Sequence, residues 1–586
     1  MSYELSTEQK KVSGMDALRA LWPLLSDEKK ILFFASIATL INSVISLAAP
    51  LLIAHIVDAN IVPGKFAGVM SASGVLLALY IAGLFSSYAQ TRLMGGMGQR
   101  TLFNLRTKIF GKLQELPLAF FHANKTGDLI SRINNDTDKL NQFFSQTLVR
   151  FVGSLVVMVG AAIFIVALNW RLGLAALAPA AALLVFTQLL SPWVKRTNAA
   201  SLTSTGGLAA EVSESISNFK VVVAFNRRDF FRTRFEVANN ANYNASVKAG
   251  IANNTFTPVF GFSANVAQLI VLTCGVYLIT TGSFTLGLLV GFLSYITNFY
   301  NPLRQIAALW SNFQVALAGW DRISAILEMQ NEMTTLPASA TNVAPKSSAL
   351  LEFEHVSFQY STGKEVLHDV NIVLEPGKTY ARVGPTGGGK TTTASLMARL
   401  YDPTEGTIYL NGHDIRTLSV AERTKKIGFI LQEPILFSGT VRENILYGNE
   451  EYAHFSQDDL QRALHEAGLD GLLARFDGGL EAPVATSGDA LSLGQKQLIA
   501  FMRSVLRNPE LLILDEATAN IDTVTEQLLE DILKKLPPRT TKVIIAHRLN
   551  TIENADEIFF VNGGSVTRAG SMEQAVDMLL HGKRES

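Results

Sequence analysis

The chain of 586 residues contains one cysteine, Cys274. A single thiol excludes an internal disulfide framework and any metal site built from several cysteines. Charge is scarce too. Asp, Glu, Lys and Arg make up 17% of the residues, against about 25% in an ordinary soluble domain. The two signs balance at 50 residues each, which speaks against a nucleic-acid binder, since those are basic overall. The first 30 residues are polar. They lack a short apolar core with a small-residue cleavage site, so no removable signal peptide is expected.

Apolar length is what the sequence has in abundance. Apolar residues make up 48% of the chain, and six uncharged runs, at 31–54, 66–91, 151–168, 172–190, 256–281 and 284–303, stand out. A membrane-spanning helix needs roughly 20 such residues. The runs lack the strict alternation of a barrel strand, so helices are expected. Two connections are rich in positive charge. One carries Arg100, Arg106, Lys108, Lys112, Lys125, Arg132 and Lys139, the other Arg196, Lys220, Arg227, Arg228, Arg232 and Arg234. The remaining connections are short and carry little positive charge. Both termini are therefore expected on the cytoplasmic side. Leu102, Leu105, Ile109, Phe110 and Leu113 recur at helical spacing. The long connections thus read as helices continued beyond the bilayer, with tips near 120–128 and 215–225. Intramembrane charge is nearly absent, so no ion pathway suggests itself.

The other half of the chain has a different chemistry. Residues 384–391 read Gly-Pro-Thr-Gly-Gly-Gly-Lys-Thr, a phosphate-binding loop between a strand-like and a helix-like stretch. Gly384, Gly387 and Gly389 let backbone N–H groups turn inward on phosphate oxygens, and the helix N-terminus adds its positive dipole end. Lys390 is placed to neutralise the β- and γ-phosphates, Thr391 to ligate Mg²⁺, and Thr392 to line the same loop. Residues 511–516 read Leu-Leu-Ile-Leu-Asp-Glu. The apolar run suits a strand buried on both faces. Asp515 at its end can reach Mg²⁺, and Glu516 can act as general base on the attacking water.

With these motifs in place, the chain resembles the ABC transporter family over nearly its whole length. Leu491-Ser492-Leu493-Gly494-Gln495 is similar to the family signature LSGGQ. The resemblance implies that Ser492, Gly494 and Gln495 cap the ATP held by a partner ATPase domain. It further implies that Tyr360 stacks on adenine, that Gln432 senses Mg²⁺ and faces the membrane domain, that Asp522 is the D-loop aspartate, and that His547 holds the γ-phosphate. Phe120-Phe121-His122, Gly127-Asp128 and Ser131-Arg132 resemble the first intracellular loop of the exporter branch.

The resemblance implies a multi-domain architecture: an all-α six-helix transmembrane domain with long cytoplasmic extensions and an α/β P-loop ABC ATPase domain. The expected division is a cytoplasmic segment at 1–30, the transmembrane domain at 31–330, a linker at 331–349 rich in Thr, Ala, Asn, Ser and Pro, and the ATPase domain at 350–586. Expected ligands are ATP and Mg²⁺. The expected activity is ATP-driven export of a hydrophobic or amphipathic small molecule, lipid or peptide by alternating access, with import on the same architecture as the alternative. The expected setting is the inner membrane of a bacterium. A second half-transporter is expected as partner, with a heterodimer preferred to a homodimer. That preference rests on Leu493, which replaces the first signature glycine, beside intact Lys390, Asp515, Glu516 and His547. Gly388 stands where Ser is usual, with little loss expected. Arg382 stands where the strand before the loop is usually apolar, and nothing in the sequence accounts for it.

Overall fold

In the computed structural model the described residues are 3–5, 28–331, 333, 335–337, 348–360, 363–485, 491–515, 523–545, 554–570 and 572–581. Two compact units result. One comprises Thr7–Lys112 and Gly127–Leu327, and the other Met1–Ser6, Leu113–Thr126 and Glu328–Ser586.

The first unit is helical. Its elements are α1 (Lys29–Ile61), α2 (Phe66–Glu115), α4 (Thr126–Leu168), α5 (Trp170–Ser217), α6 (Phe219–Ala224), α7 (Arg228–Asn254), α8 (Phe256–Thr280) and α9 (Leu286–Leu327); the short α3 (Leu118–Ala123) falls in the second unit. Each expected membrane run lies on one of these helices, save residue 281 at the end of one run and residues 284–285 at the start of the next. Among the described residues, five helical stretches, including the 50-residue α2 and the 48-residue α5, are long and apolar enough to cross a membrane. At 1.5 Å per residue α2 is about 75 Å long, more than twice a hydrocarbon core of about 30 Å. The helices therefore extend far beyond the bilayer, which matches the amphipathic continuation read from the sequence.

Two features fix the helix packing. Near the middle of the apolar region, the Phe164 and Tyr295 rings stack with centroids 5.3 Å apart, and Tyr300 donates to the Ala176 carbonyl at 2.9 Å. Phe292 and Tyr295 are buried here, so these aromatics pack helix against helix within the chain. Phe33, Phe34 and Phe85 are exposed. Beyond the apolar region, the first α-helical turns of α4, Thr126–Ser131, are followed by a π-helical turn, Arg132–Asp136, which brings charged side chains inward. Asp136 is fully buried and pairs with Lys139 at 2.9 Å and Arg322 of α9 at 3.2 Å. Arg132 pairs with Asp128 at 2.8 Å and donates to the Arg322 carbonyl at 2.6 Å. Arg322 also pairs with Asp128. Five charged side chains thus tie the start of α4 to the end of α9.

The second unit is α/β. An antiparallel sheet in the order β2-β1-β4-β5 joins β1 (Leu351–Gln359), β2 (Glu365–Leu374), β4 (Glu405–Leu410) and β5 (His413–Asp414). β3 (Thr379–Val383), β6 (Ile427–Ile430), β9 (Leu511–Asp515), β10 (Thr541–Ile545), β11 (Glu557–Asn562) and β12 (Ser565–Ala569) form a six-stranded sheet in the order β12-β11-β3-β10-β9-β6, and β7 (Gly439–Thr440) pairs with β8 (Pro483–Val484) in a short ribbon. All neighbours in the six-stranded sheet pair parallel except β11 with β12. Strand β9 is buried at every residue, as its unbroken apolar run requires in a sheet covered on both faces. One face packs on helix α10 (Lys390–Met397), through Tyr380, Val543, Ala394 and Leu396. The other packs Leu512 and Leu514 against α11 (Gln457–Glu466), α12 (Leu493–Val505) and α13 (Thr523–Lys535).

The first loop tip belongs to this unit. Ala119 of α3 packs on the cluster around β1 and α10, and Asn331 donates to the Glu115 carbonyl at 2.6 Å. Asn124 holds the N-terminal segment: its amide donates to the Tyr3 carbonyl at 2.8 Å and accepts from the Leu5 N–H at 3.0 Å. Tyr3 and Leu5 are buried. The second tip forms α6 in the first unit, with Phe219, Val221 and Phe225 exposed.

Candidate nucleotide site

In an open parallel sheet, ligands bind beyond the carboxyl ends of the strands. Four strands end together here. Asp515 closes β9 opposite Ile545 of β10, which is paired in turn with Arg382 of β3. Ile430 of β6 pairs with Leu514, so Gln432 emerges two residues past that strand end, beside the end of β9. The glycine loop leaves β3 at the same edge. Glu516, Asp522 and His547 lie outside the described residues. Chain connectivity puts Glu516 directly after Asp515 and His547 two residues after Ile545.

The loop is built from close approach. Gly384 has φ of +148°, and a Cβ there would lie 2.0 Å from the Val561 carbonyl oxygen, so no other residue fits. Gly388 has ordinary backbone angles, yet its Cβ would lie 2.7 Å from the same oxygen. The glycine at 388 therefore coincides with a tight contact to β11, a cost the sequence does not reveal. Lys390 caps the loop from within: its buried ammonium donates to the carbonyls of Gly384 at 2.7 Å and Pro385 at 3.0 Å. Thr391 Oγ1 donates to Asp515 Oδ1 at 3.5 Å, which brings two of the three expected Mg²⁺ ligands side by side. Tyr360 Oη and Thr392 Oγ1 share a hydrogen bond of 3.0 Å. The Tyr360 ring packs edge-on against Phe358 and Tyr401, with centroids 4.8 and 5.4 Å away. A glycine cradle, a buried ammonium and paired hydroxyl and carboxylate oxygens are the donor set that a Mg-nucleotide needs.

The signature residues form a helix start. Ser492 Oγ accepts from the Gln495 N–H at 3.1 Å, and Gln495 Oε1 accepts from the Ser492 N–H at 3.0 Å. This capping box opens α12 and leaves Leu493 43% exposed, an apolar side chain presented at a helix N-terminus beside Gly494.

Comparison with known proteins decides the family. The family model described as ABC transporter transmembrane region matches residues 32–303, and the one described as ABC transporter matches 367–519. A fatty acid ABC transporter ATP-binding/permease protein of Mycobacterium bovis is 35% identical over 515 residues, covering 87% of this chain and 80% of that protein. The chain belongs to the ABC transporter family. A multidrug resistance ABC transporter ATP-binding and permease protein of Lactococcus lactis is 31% identical, over 92% of this chain and 90% of that protein. An uncharacterized ABC transporter ATP-binding protein of Bacillus subtilis is 31% identical, over 95% and 92%. One transmembrane region fused to one ATPase domain makes this ABC protein an ATP-hydrolysing, exporter-type half-transporter, integral to the membrane and built to dimerise. The import alternative finds no support among these relatives.

Proposed function

We propose that this ABC protein exports a hydrophobic or amphipathic molecule by alternating access, driven by Mg-ATP hydrolysis at its own loop. The observation that carries the reading is the meeting of Lys390, Thr391 and Asp515 at one edge of the parallel sheet. The proposed division is 1–30 as a cytoplasmic segment, 31–330 as the membrane domain, 331–349 as the linker and 350–586 as the ATPase domain, with both termini cytoplasmic and the membrane that of a bacterium. Lys390 turns from the loop carbonyls to the β- and γ-phosphates, with the N–H groups of Gly387 and Gly389 beside it. Thr391, Asp515 and Gln432 hold Mg²⁺, which supplies charge neutralisation at the phosphates. Glu516 takes a proton from the attacking water, and His547 orients the γ-phosphate. Tyr360 stacks on the base, and Thr392 holds the Tyr360 hydroxyl.

Ser492, Gly494 and Gln495 serve a second half-transporter, with Asp522 between the two sites. Leu493 in place of glycine favours a heterodimer in which this chain supplies the working carboxylate. The substrate class rests on the nearly charge-free membrane region and on the fatty acid and multidrug relatives. The test is ATP-dependent movement of a fluorescent fatty acid or a lipophilic dye in inside-out vesicles holding the wild type or Glu516→Gln. Accumulation lost in the variant supports the reading; accumulation that survives in it contradicts the hydrolysis step.

A further inference from the structure

Arg382 is the residue that the motif set leaves unexplained. It sits on β3, two residues before the phosphate loop, and is completely buried. Among the described residues, its three guanidinium nitrogens find no hydrogen-bond partner and no carboxylate pairs with it. Burial lowers its pKa to about 9, so it remains a cation at neutral pH. An uncompensated buried cation is among the costliest arrangements a fold can hold. Its location gives it a use. The strand register aligns Asp515, Ile545, Arg382 and Phe559 in one row, and directly paired residues project on the same face. That face carries helix α10, whose first residue is Lys390. Arg382 therefore lies beneath the phosphate loop, two strand spacings, or about 10 Å, from Asp515.

Resting on the reading of this loop as the ATP site, we propose that Arg382 is a second buried cation of that site. It favours the polyphosphate through space from behind the loop, without touching it. Lys390 and the α10 N-terminus supply positive charge at the front, and Arg382 deepens that field from a region shielded from counterions. Unit charges about 10 Å apart, at an effective dielectric of about 20, interact strongly enough to change a binding constant about tenfold. The effect scales with ligand charge, so ATP gains most, ADP less and adenosine nothing. Arg382 is a positioning residue by this account, and its contribution appears in affinity more than in the rate of the chemical step.

The experiment measures equilibrium binding of Mg-ATP, Mg-ADP and adenosine to the full chain in lipid nanodiscs, for wild type, Arg382→Met and Arg382→Leu, together with thermal unfolding of each without nucleotide. The expected result is ATP affinity weakened about tenfold, ADP affinity weakened less and adenosine affinity unchanged, with nucleotide-free unfolding no lower than wild type. Unchanged ATP affinity in a folded variant overturns the inference. So does an equal loss for all three ligands, or nucleotide-free destabilisation in both variants, either of which assigns Arg382 a structural role. Failure of the wild type itself to bind ATP refutes instead the reading of the loop as a nucleotide site.

Discussion

The charged cluster joining the start of α4 to the end of α9 makes a quantitative prediction. Asp136 is 1% exposed at its side chain and Arg322 35%, with 3.2 Å between them. Exposed pairs contribute about 0.2–1 kcal/mol, whereas breaking a fully buried pair costs about 3–5 kcal/mol. With one partner buried and the other one-third exposed, each single substitution, Asp136→Ala or Arg322→Ala, is expected to destabilise the chain by about 2 kcal/mol. The two losses are not independent, because each variant strands the residue that the other one removes. The double variant should cost about 1–2 kcal/mol less than the sum of the single ones. Denaturant unfolding in mixed micelles, read as a double-mutant cycle, measures this. Arg322 also pairs with Asp128 and lends its carbonyl to Arg132, so Asp128→Ala should couple to Arg322→Ala in the same sense. Additivity of Asp136→Ala and Arg322→Ala to within about 0.3 kcal/mol refutes the reasoning.

Four further predictions follow from the second unit. Gly388→Ser should weaken ATP binding or stability by about 1–3 kcal/mol, because its Cβ meets the Val561 carbonyl; wild-type affinity and melting in that variant contradict the close contact. Asn124→Ala removes both hydrogen bonds to the N-terminal segment and should speed proteolytic release of that segment several-fold, whereas an unchanged cleavage rate means that the segment is held by packing alone. Leu493→Gly should raise ATPase activity if the chain works as a homodimer and leave it nearly unchanged in a heterodimer, where this signature faces the weaker site. The Arg382 pKa, lowered by burial to about 9, means that above that pH the unfolded chain holds a proton the folded chain has released. Wild-type stability from this group therefore rises with pH through that window, and its penalty is largest below it. Arg382→Met should accordingly be more stable than wild type at pH 7, with a gap that narrows toward pH 10. A pH-independent gap contradicts the assignment.

Much of this was legible from local pattern. The uncharged runs mark helices because lipid leaves no other way to satisfy the backbone, and the continuation of α2 past the bilayer shows in the spacing of Leu102, Leu105, Ile109 and Leu113. The Gly384–Lys390–Thr391 loop and the apolar run ending in Asp515 carry their own structural context. Contacts between residues remote in sequence were not legible. Asn124 meets Leu5 across 119 positions, and Arg132 meets Arg322 across 190; in the sequence, Asp128 and Arg132 stood out only as part of the loop that resembles the exporter branch. The tightness at Gly388 comes from β11, more than 170 positions downstream. Arg382 was conspicuous as a charge in a strand, but its isolation emerges only once β3 is placed at the centre of the sheet. The roles of Glu516, Asp522 and His547 still rest on their motif positions.

The most direct test of the central claim is Mg-ATP hydrolysis by the chain in lipid nanodiscs, purified alone and co-expressed with a candidate second half-transporter, with Glu516→Gln beside each. The account predicts hydrolysis in at least one of the two preparations and its loss on Glu516→Gln. Hydrolysis that persists in the variant, or its absence from both preparations although Mg-ATP binds, contradicts a transporter powered by Glu516 of this chain.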